Sequence, residues 1–341
     1  MKDIALSLGV FILVAVSIFI LNSVAVQIFP LYYVFVIVGF ILFFLFSKID
    51  FEVLSLFSRQ FYVGSLIFLL LPLVIGQVTR GAVRWIPVGA LTIQSAEIVR
   101  PFLLVFFADF VYKHEINLKN LLRGVSLVFL PVFLILIQPS LGVAVITSFG
   151  FLGVLLASNI EKKYFILFLV VIFLAAPVSW RFLAPYQKSR IASFLSPEAD
   201  PSGAGYNSLQ AMISVGSGGL WGKGAGEGAQ TQLLFLPEKH TDFIFASISE
   251  EMGFLGAFLV IALLFFILFR VVKATENSQS PQGRAFATGV FLALFMQSII
   301  HIGMNMGLLP ITGVPLPLVS AGGSSFVGTM IALGMIVGAK K

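Results

Sequence analysis

The sequence has no cysteine and few charged residues, and both absences restrict what the chain can be. Without cysteine, disulfide bonds and thiolate metal sites are excluded. Only 11% of the 341 residues are charged, whereas 59% are hydrophobic and the mean hydropathy is +1.05. A soluble globule cannot bury that much apolar surface, so lipid must surround most of the chain. Histidine is also scarce, and the three scattered histidines predict no metal cluster.

Ten apolar runs, each close to the roughly 20 residues that a bilayer requires, divide the chain. They lack the ten-residue alternation of barrel strands and therefore predict helices. We expect an all-α polytopic membrane protein of about ten transmembrane helices, forming a single membrane domain over 1–341 with one long loop at 184–241. The predicted spans are 4–22, 30–47, 60–78, 94–112, 122–138, 141–159, 163–183, 243–272, 285–309 and 323–339.

Cation placement predicts the orientation of these spans. With an even number of spans both termini share one side, which carries thirteen of the 21 Lys and Arg residues, against eight on the other side. The positive-inside rule then places both termini in the cytoplasm and the long loop outside. The outer cations fit either a pocket for an anionic headgroup such as a pyrophosphate or contact with lipid phosphates. They are Arg80, Arg84, Arg100, Arg181, Lys188, Arg190, Lys223 and Lys239.

The segment 216–251 is glycine-rich at first and then carries a compact polar group at 238–242. Gly222 and Lys223 are similar to part of a phosphate-binding loop, but Ser217 and Gly224 stand where that motif requires Gly and then Ser or Thr. Nucleotide binding is therefore excluded. We expect the glycines to allow tight turns or the close approach of a ligand.

Asp242 is the strongest candidate for chemistry, because it is predicted to lie outside, next to His240, at the start of an apolar helix. The alternative role for this acid is an N-terminal cap or a first-turn acid that stabilises the helix dipole. Glu250 and Glu251 lie two turns deeper, where a charge costs roughly 2.5–3.5 kcal/mol on insertion scales. These two acids are expected to face the bundle interior and to support the site. Glu238 belongs to the same polar group.

Four further features carry expectations about packing. Glu97 and Arg100 are one helical turn apart and can pair, and His301 and Asn305 are expected to form a buried polar contact between helices. The connection 80–89 is a candidate re-entrant segment, in which Trp85 would suit the membrane interface. The Pro-, Gly- and Ser-rich connection 309–325 predicts either one wall of a pocket or a rigid turn. Glycines at 150, 153, 328, 334 and 338 are expected to permit close helix packing.

A series of motifs spread over nearly the whole chain resembles the SEDS family of membrane proteins (shape, elongation, division and sporulation), and within it the RodA-like branch rather than the FtsW-like one. The motifs are Gly81–Ile86 (GAVRWI), Gln138–Gly142 (QPSLG), Arg190–Pro201 (RIASFLSPEADP), Gly216–Gly224 (GSGGLWGKG), Phe235–Phe245 (FLPEKHTDFIF), Gly307–Leu318 (GLLPITGVPLPL) and Gly322–Ser325 (GGSS).

The resemblance implies a peptidoglycan glycosyltransferase that polymerises lipid II on the outer face of the bacterial cytoplasmic membrane during cell elongation. It implies that Asp242 is the essential acid, which we interpret as the general base for the acceptor 4-hydroxyl. It also implies roles for Trp85 and Arg100. The candidate contacts of the substrate are Arg84, Trp85, Arg100, Arg190, Lys223, Lys239 and His240, and the supporting acids are Glu97, Glu238, Glu250 and Glu251.

The sequence departs from the family pattern at a few positions. The family's Gln-Pro-Ser-Glu motif reads Gln94-Ser95-Ala96-Glu97 here, and Ser140 replaces a common Asp. These departures concern the grip on substrate rather than the reaction.

The resemblance also bears on partners and cofactors. It implies a class B penicillin-binding protein, a transpeptidase, as partner. A divalent cation, Mg²⁺ or Mn²⁺, is an open expectation for the departing pyrophosphate, because no residue pattern requires one. Two other functions stay open: a lipid II flippase, which would expose a polar path to both sides, and a non-catalytic scaffold, which would not need Asp242.

Overall fold

The fold was taken from a computed structural model, which describes residues 4–79, 82–114, 117–158, 161, 163, 165–166, 170, 181, 185–196 and 204–339. Within these residues the chain forms thirteen α-helices and one small sheet. The helices are α1 (Ile4–Val24), α2 (Leu31–Phe46), α3 (Phe51–Leu56), α4 (Ser58–Ile75), α5 (Ser95–Lys113), α6 (Leu118–Ile137), α7 (Leu141–Leu156), α8 (Pro185–Leu195), α9 (Ala204–Ser217), α10 (Ala229–Gln232), α11 (Ile244–Glu276), α12 (Pro281–Asn305) and α13 (Gly323–Gly338).

Five helices are long and apolar enough to cross a membrane, and they are α1, α4, α6, α11 and α12. Three shorter apolar helices, α2, α7 and α13, also fall on predicted spans. The predicted span 94–112 coincides with α5, which carries more charge because Glu97, Arg100, Asp109 and Lys113 lie on it. The predicted span 163–183 lies largely outside the described residues. The chain is therefore a helical multi-pass membrane protein.

Helix α13 lies at the centre of the bundle, and every residue from Ser324 to Gly338 is buried. It packs against α2 and α5, and its glycines allow the backbones to come close. A Cβ on Gly328 would lie 2.4 Å from the carbonyl oxygen of Glu97, and one on Gly334 would lie 2.6 Å from that of Phe43. On α7, Gly153 faces the backbone of Thr288 in the same way, at 2.6 Å. The predicted close-packing role of these glycines is confirmed.

The connection after α4 differs from the predicted re-entrant segment, because its described residues form an antiparallel sheet. Strand β1 (Gln77–Thr79) pairs with β2 (Ala82–Val88), and β2 pairs with β3 (Leu91–Ile93). The β-branched and aromatic residues of β2 favour a strand, and Gly89, with φ of +60°, provides the turn into β3. Arg80 lies outside the described residues. The sheet also ends the third span at Ile75, three residues earlier than predicted.

The segment predicted as one long loop at 184–241 contains local helices in its described residues. Helix α8 and helix α9 pack together, and α9 also packs along α11. The glycine-rich stretch that follows α9 leads to α10, which is a single turn. The described part of the loop is therefore folded onto the membrane domain and contributes residues to a polar cavity, described next.

Candidate active site

A polar cavity of about 350 Å³ lies where the folded loop meets the ends of α7 and α12. Charged side chains from three distant parts of the sequence enter it, and they are Arg84, Arg190, Glu238 and Asp242. The rest of its wall comes from Gln187, Gly142 and the segment 310–313. The Pro- and Gly-rich connection 309–325 thus forms one wall of a pocket, which was one of its two predicted roles.

Asp242 lies just before α11, and three contacts hold its backbone in place. Its carbonyl oxygen accepts a hydrogen bond of 3.0 Å from Asn305 Nδ2, and Asn305 Oδ1 accepts one of 3.1 Å from the amide of Ala246. The hydroxyl of Ser320 donates to the carbonyl of Thr241 at 2.8 Å. The N-cap position of α11 is Phe243 and its first turn has no acid, so Asp242 does not have the predicted alternative role of a cap.

Arg190 and Asp242 face the same point of the cavity, the glycine at position 313. A Cβ on Gly313 would lie 3.4 Å from Arg190 Nη1 and 3.4 Å from Asp242 Oδ2. Gly313 has φ of +69°, a left-handed conformation that favours glycine, and a side chain at this position would contact both groups. Arg190 also donates to the carbonyl of Ile311 at 3.3 Å, which fixes it on the cavity wall.

Gln187 lines the cavity one turn before Arg190 on α8, and sequence reasoning missed it. The signal that could have found it is helical spacing, because Gln187, Arg190 and Ile191 are at i, i+3 and i+4 and share one face. The side chain of Gln187 is buried, at 6% exposure.

Arg84 enters the cavity from the middle of β2, on the opposite side from the loop. Its guanidinium carbon lies 5.8 Å from the centre of the Trp85 ring. An Arg held near an aromatic ring keeps its charge while losing little mobility on binding an anion. Among the described residues that line the cavity, Trp85 does not appear, so its nearest link to the site is Arg84.

The polar group 238–242 forms a tight turn in which the charges point in different directions. Glu238 has a left-handed φ of +56°, lines the cavity, and its Oε2 accepts a hydrogen bond from Thr241 Oγ1 at 3.1 Å. Lys239 points the other way, because its Nζ is buried and donates to the carbonyl of Thr231 at 2.8 Å. Burial lowers the pKa of Lys239, and the charge of Glu251 opposes that shift. The carbonyl of His240 accepts from the amide of Ala321 at 2.9 Å.

Glu250 and Glu251 are buried as predicted, and each accepts hydrogen bonds from the folded loop. Glu250 accepts from the backbone amides of Gln230 and Thr231 at 2.8 and 2.9 Å and from the Thr231 hydroxyl at 2.6 Å. Glu251 accepts from Gln232 Nε2 at 2.7 Å and from the Ser23 hydroxyl at 2.5 Å. Both carboxylates therefore attach the loop to α11 and α1.

The glycine-rich stretch supplies backbone hydrogen-bond partners at a break in α11. Gly253 has φ of +65° and ψ of −164°, which interrupts the helix and frees backbone groups on both sides. The carbonyls of Glu250 and Glu251 accept from the amides of Lys223 and Gly224, at 2.9 and 3.0 Å. The amide of Phe254 donates to the carbonyl of Gly219 at 2.8 Å.

This contact explains the glycines of the stretch. A Cβ on Gly222, whose φ is +82°, would lie 2.2 Å from the carbonyl oxygen of Glu251, and one on Gly218 would lie 1.7 Å from that of Ser249. The glycines thus allow close approach between two backbones, whereas the sequence analysis expected tight turns or the close approach of a ligand. The side chain of Lys223 is exposed.

Arg100 is buried within the bundle rather than on the cavity wall. It forms a salt bridge with Glu97 and donates to Gln297 Oε1 at 3.0 Å. Gln297 in turn donates to the carbonyl of Pro315 at 2.8 Å, which links α5 and α12 to the connection that forms the pocket wall. The predicted pairing of Glu97 with Arg100 is confirmed, and the contact of Arg100 with substrate stays a prediction.

His301 and Asn305 form the predicted buried polar contact between elements. His301 is fully buried and its Nδ1 lies 2.7 Å from the carbonyl of Val314. Asn305 connects α12 to the start of α11, as described above. Among the residues that the structure describes, no three His, Asp or Glu side chains come together as a metal site.

Comparison with known proteins places this architecture in a family. The family model described as FtsW, RodA and SpoVE cell cycle protein matches residues 2–341. The peptidoglycan glycosyltransferase MrdB of Escherichia coli K12 is 36% identical over 302 residues, which cover 88% of this chain and 82% of MrdB. The stage V sporulation protein E of Bacillus subtilis is 33% identical over 306 residues, covering 88% and 83% of the two chains.

Solved structures agree with this placement. A chain from a structure described as showing structural coordination of polymerization and crosslinking by a peptidoglycan synthase complex aligns with a TM-score of 0.85 and 28% identity, over 99% of this chain and 97% of that one. The rod shape determining protein RodA of Thermus thermophilus aligns with a TM-score of 0.75 and 25% identity, over 99% and 96%. The chain therefore belongs to the SEDS family of peptidoglycan glycosyltransferases, the group that contains FtsW, RodA and SpoVE.

Proposed function

We propose that this chain polymerises lipid II into glycan strands, with Asp242 as the general base. The observation that carries the proposal is the cavity in which Asp242 Oδ2 and Arg190 Nη1 face each other across Gly313. An anionic, pyrophosphate-linked sugar fits a cavity that holds two arginines, because Arg donors match phosphate oxygens in pairs. A carboxylate beside the arginines can accept the proton that a sugar hydroxyl loses as it attacks the anomeric carbon.

The reaction follows from this arrangement. Asp242 takes the proton of the 4-hydroxyl on the incoming lipid II, and that oxygen attacks the anomeric carbon of the growing strand. The bond from that carbon to its pyrophosphate oxygen breaks, and undecaprenyl pyrophosphate leaves with the bonding electron pair. Arg84 and Arg190 stabilise the negative charge that develops on the leaving group. Each addition therefore consumes one lipid II and releases one undecaprenyl pyrophosphate and one proton.

Asp242 and Glu238 are two carboxylates on one cavity wall, and this donor set fits Mg²⁺ or Mn²⁺ shared with pyrophosphate oxygens. When bound, such a cation would neutralise charge on the leaving group. The protein's own contribution is to hold the carboxylates and arginines in place, through Asn305, Ser320 and the carbonyl of Ile311.

The cellular setting is part of the proposal. We place the cavity on the outer face of the bacterial cytoplasmic membrane, with about ten spans and both termini inside, on the strength of the cation distribution. The similarity to RodA and MrdB supports a role in cell elongation. The similarity to a chain of a peptidoglycan synthase complex supports a class B penicillin-binding protein as partner.

Lipid II polymerisation by the purified chain, co-expressed with its transpeptidase partner, tests this proposal. Asp242→Asn keeps the size of the side chain and removes the base, so glycan strands should fall at least roughly a hundredfold, within the range of general-base contributions. The control is Asn207→Asp, on α9 in the folded loop. It exchanges the same two residue types in the reverse direction and lies outside the cavity wall. Normal strand synthesis by folded Asp242→Asn protein would overturn the assignment of the base. Absence of strands from the wild-type complex would favour the flippase.

A further inference from the structure

A second polar cavity lies at the opposite membrane face from Asp242, between the ends of α4, α5 and α6. We call it the basic cavity, and its polar lining consists of Arg59, Asp109, Lys113, His114 and Arg123. Its volume is about 340 Å³, close to that of the Asp242 cavity. Arg59 begins α4 and the sheet with Arg84 follows its end, so the 18 residues of α4 separate the two cavities by about 27 Å.

The basic cavity has the charge of an anion site. Three cations line it, at positions 59, 113 and 123, against the one carboxylate of Asp109. Arg123 lies with its guanidinium carbon 6.0 Å from the centre of the Phe110 ring, which holds it over the cavity. A phosphodiester carries one negative charge and suits such a set of donors.

Asp109 gives the site a second requirement. It is buried, at 4% exposure, and its Oδ2 accepts from the Ser58 hydroxyl at 2.6 Å and from Lys113 Nζ at 2.8 Å. Its Oδ1 is also buried but has no hydrogen-bond partner among the residues that the structure describes. A buried carboxylate oxygen without a donor is costly, so a ligand that brings a hydroxyl beside its phosphate would satisfy it.

An apolar groove lies beside the basic cavity, between α5, α6 and α7. We define it by Phe107, Phe110, Leu121, Gly124, Val128 and Phe151, on α5, α6 and α7. Phe110 and His114 line both the groove and the basic cavity, and their rings stack with centres 4.5 Å apart. The two features therefore adjoin each other at the Phe110 and His114 pair, at the same depth along α5 and α6.

We propose that this surface binds one anionic glycerophospholipid whose headgroup carries a hydroxyl, such as phosphatidylglycerol. The phosphate contacts Arg59, Lys113 and Arg123, the headgroup hydroxyl donates to Asp109 Oδ1, and an acyl chain lies in the apolar groove. Arg59, Lys113 and Arg123 lie at the ends of α4, α5 and α6, so the bound phosphate would lie in the leaflet opposite the Asp242 cavity. No step of the glycosyl transfer uses these residues, so the site is separate from catalysis.

Native mass spectrometry of the full-length protein in detergent tests the proposal with dioleoyl phosphatidylglycerol as the probe. The double variant Arg59→Gln/Arg123→Gln should bind it at least tenfold more weakly, about 1.4 kcal/mol, since each Arg near a lipid surface contributes about 1 kcal/mol. The matched control Lys48→Gln/Lys273→Gln removes two charges outside the basic cavity, one exposed and one partly buried, and should stay within twofold of wild type.

Two further binding measurements distinguish contacts of the lipid headgroup from contacts of the acyl chain. Gly124→Leu fills the groove, because a Cβ there already lies 3.2 Å from the Phe110 ring. This variant should weaken binding of the dioleoyl lipid severalfold and leave binding of short-chain dihexanoyl phosphatidylglycerol unchanged. Phosphatidylmethanol has the same charge but no hydroxyl, and it should bind more weakly than phosphatidylglycerol.

Three results would overturn the proposal. Equal affinities of the two double variants would show that the basic cavity does not bind the headgroup. Phosphatidylcholine bound as tightly as phosphatidylglycerol would reduce the site to ordinary bilayer contact. Glycerol phosphate bound as tightly as the lipid would make the ligand a soluble phosphate.

Discussion

Asp242 and Glu250 are acids about two helical turns apart on the same segment, and their surroundings in the structure differ. Glu250 is 1% exposed and both its oxygens accept hydrogen bonds from the loop at 230–231. Asp242 is partly exposed, lies on a cavity wall, and faces Arg190 across a glycine. A fully buried carboxylate stabilises structure, whereas one that lines a cavity can take a proton from a bound hydroxyl. Burial and position on the cavity wall therefore separate the structural acid from the proposed catalytic one.

Removing the structural acid should give the largest loss of stability. Glu250→Ala would leave the amides of Gln230 and Thr231 and the Thr231 hydroxyl without their acceptor, at a cost of roughly 3 kcal/mol or more in total. Thermal unfolding of the purified protein in detergent should show a clearly lower Tm. Glu227→Ala, an exposed acid in the same loop, is the control and should change the Tm little. Equal effects of the two changes would contradict the role given to Glu250.

The backbone contact between the glycine-rich stretch and the α11 break can be tested next, through Gly222. Gly222→Ala combines a left-handed φ, which costs roughly 1–2 kcal/mol for other residues, with a clash against the carbonyl of Glu251. Gly219→Ala has a similar φ of +56° but open space around its Cβ, so it isolates the conformational cost. The Tm should fall more for Gly222→Ala than for Gly219→Ala. Equal falls would show that the backbone contact is looser than described.

The smallest expected effect concerns activity and leaves stability unchanged. Arg190→Gln removes a charged donor from the cavity, and kcat/KM for lipid II should fall roughly ten- to a hundredfold, as for one charge-assisted hydrogen bond. The fold should persist, because Arg190 is only partly buried. Lys188→Gln, two residues earlier on the same helix and outside the cavity wall, is the control. Loss of activity in both variants would point to the net charge of the loop rather than to the cavity.

Features of the fold and of the site that depend on a single segment could be predicted from the sequence. The apolar runs predicted the long helices of the bundle but not the short ones, the burial of Glu250 and Glu251 followed from their depth, and the segment 309–325 was one candidate for a pocket wall. The position of Asp242 outside the first turn of α11 was not settled by the sequence, because a cap and a cavity acid have the same local pattern.

The remainder depends on contacts between distant segments. Lys239 was predicted to contact a headgroup, yet its Nζ is bonded to the carbonyl of Thr231, and only the folded loop shows this. The break at Gly253 has no clear local signal, since its freed backbone groups are satisfied by residues about 30 positions earlier, at 219–224. Gln187 was missed because the short helix that carries it lies in a segment interpreted as loop.

One paired measurement tests the central distinction most directly: glycan-strand synthesis and Tm, recorded together for Asp242→Asn and Glu250→Gln in complex with the transpeptidase. The account predicts that Asp242→Asn keeps the wild-type Tm and makes no strands. It predicts that Glu250→Gln has a lowered Tm and, per folded molecule, still makes strands. Strands from folded Asp242→Asn protein, or none from fully folded Glu250→Gln protein, would contradict it.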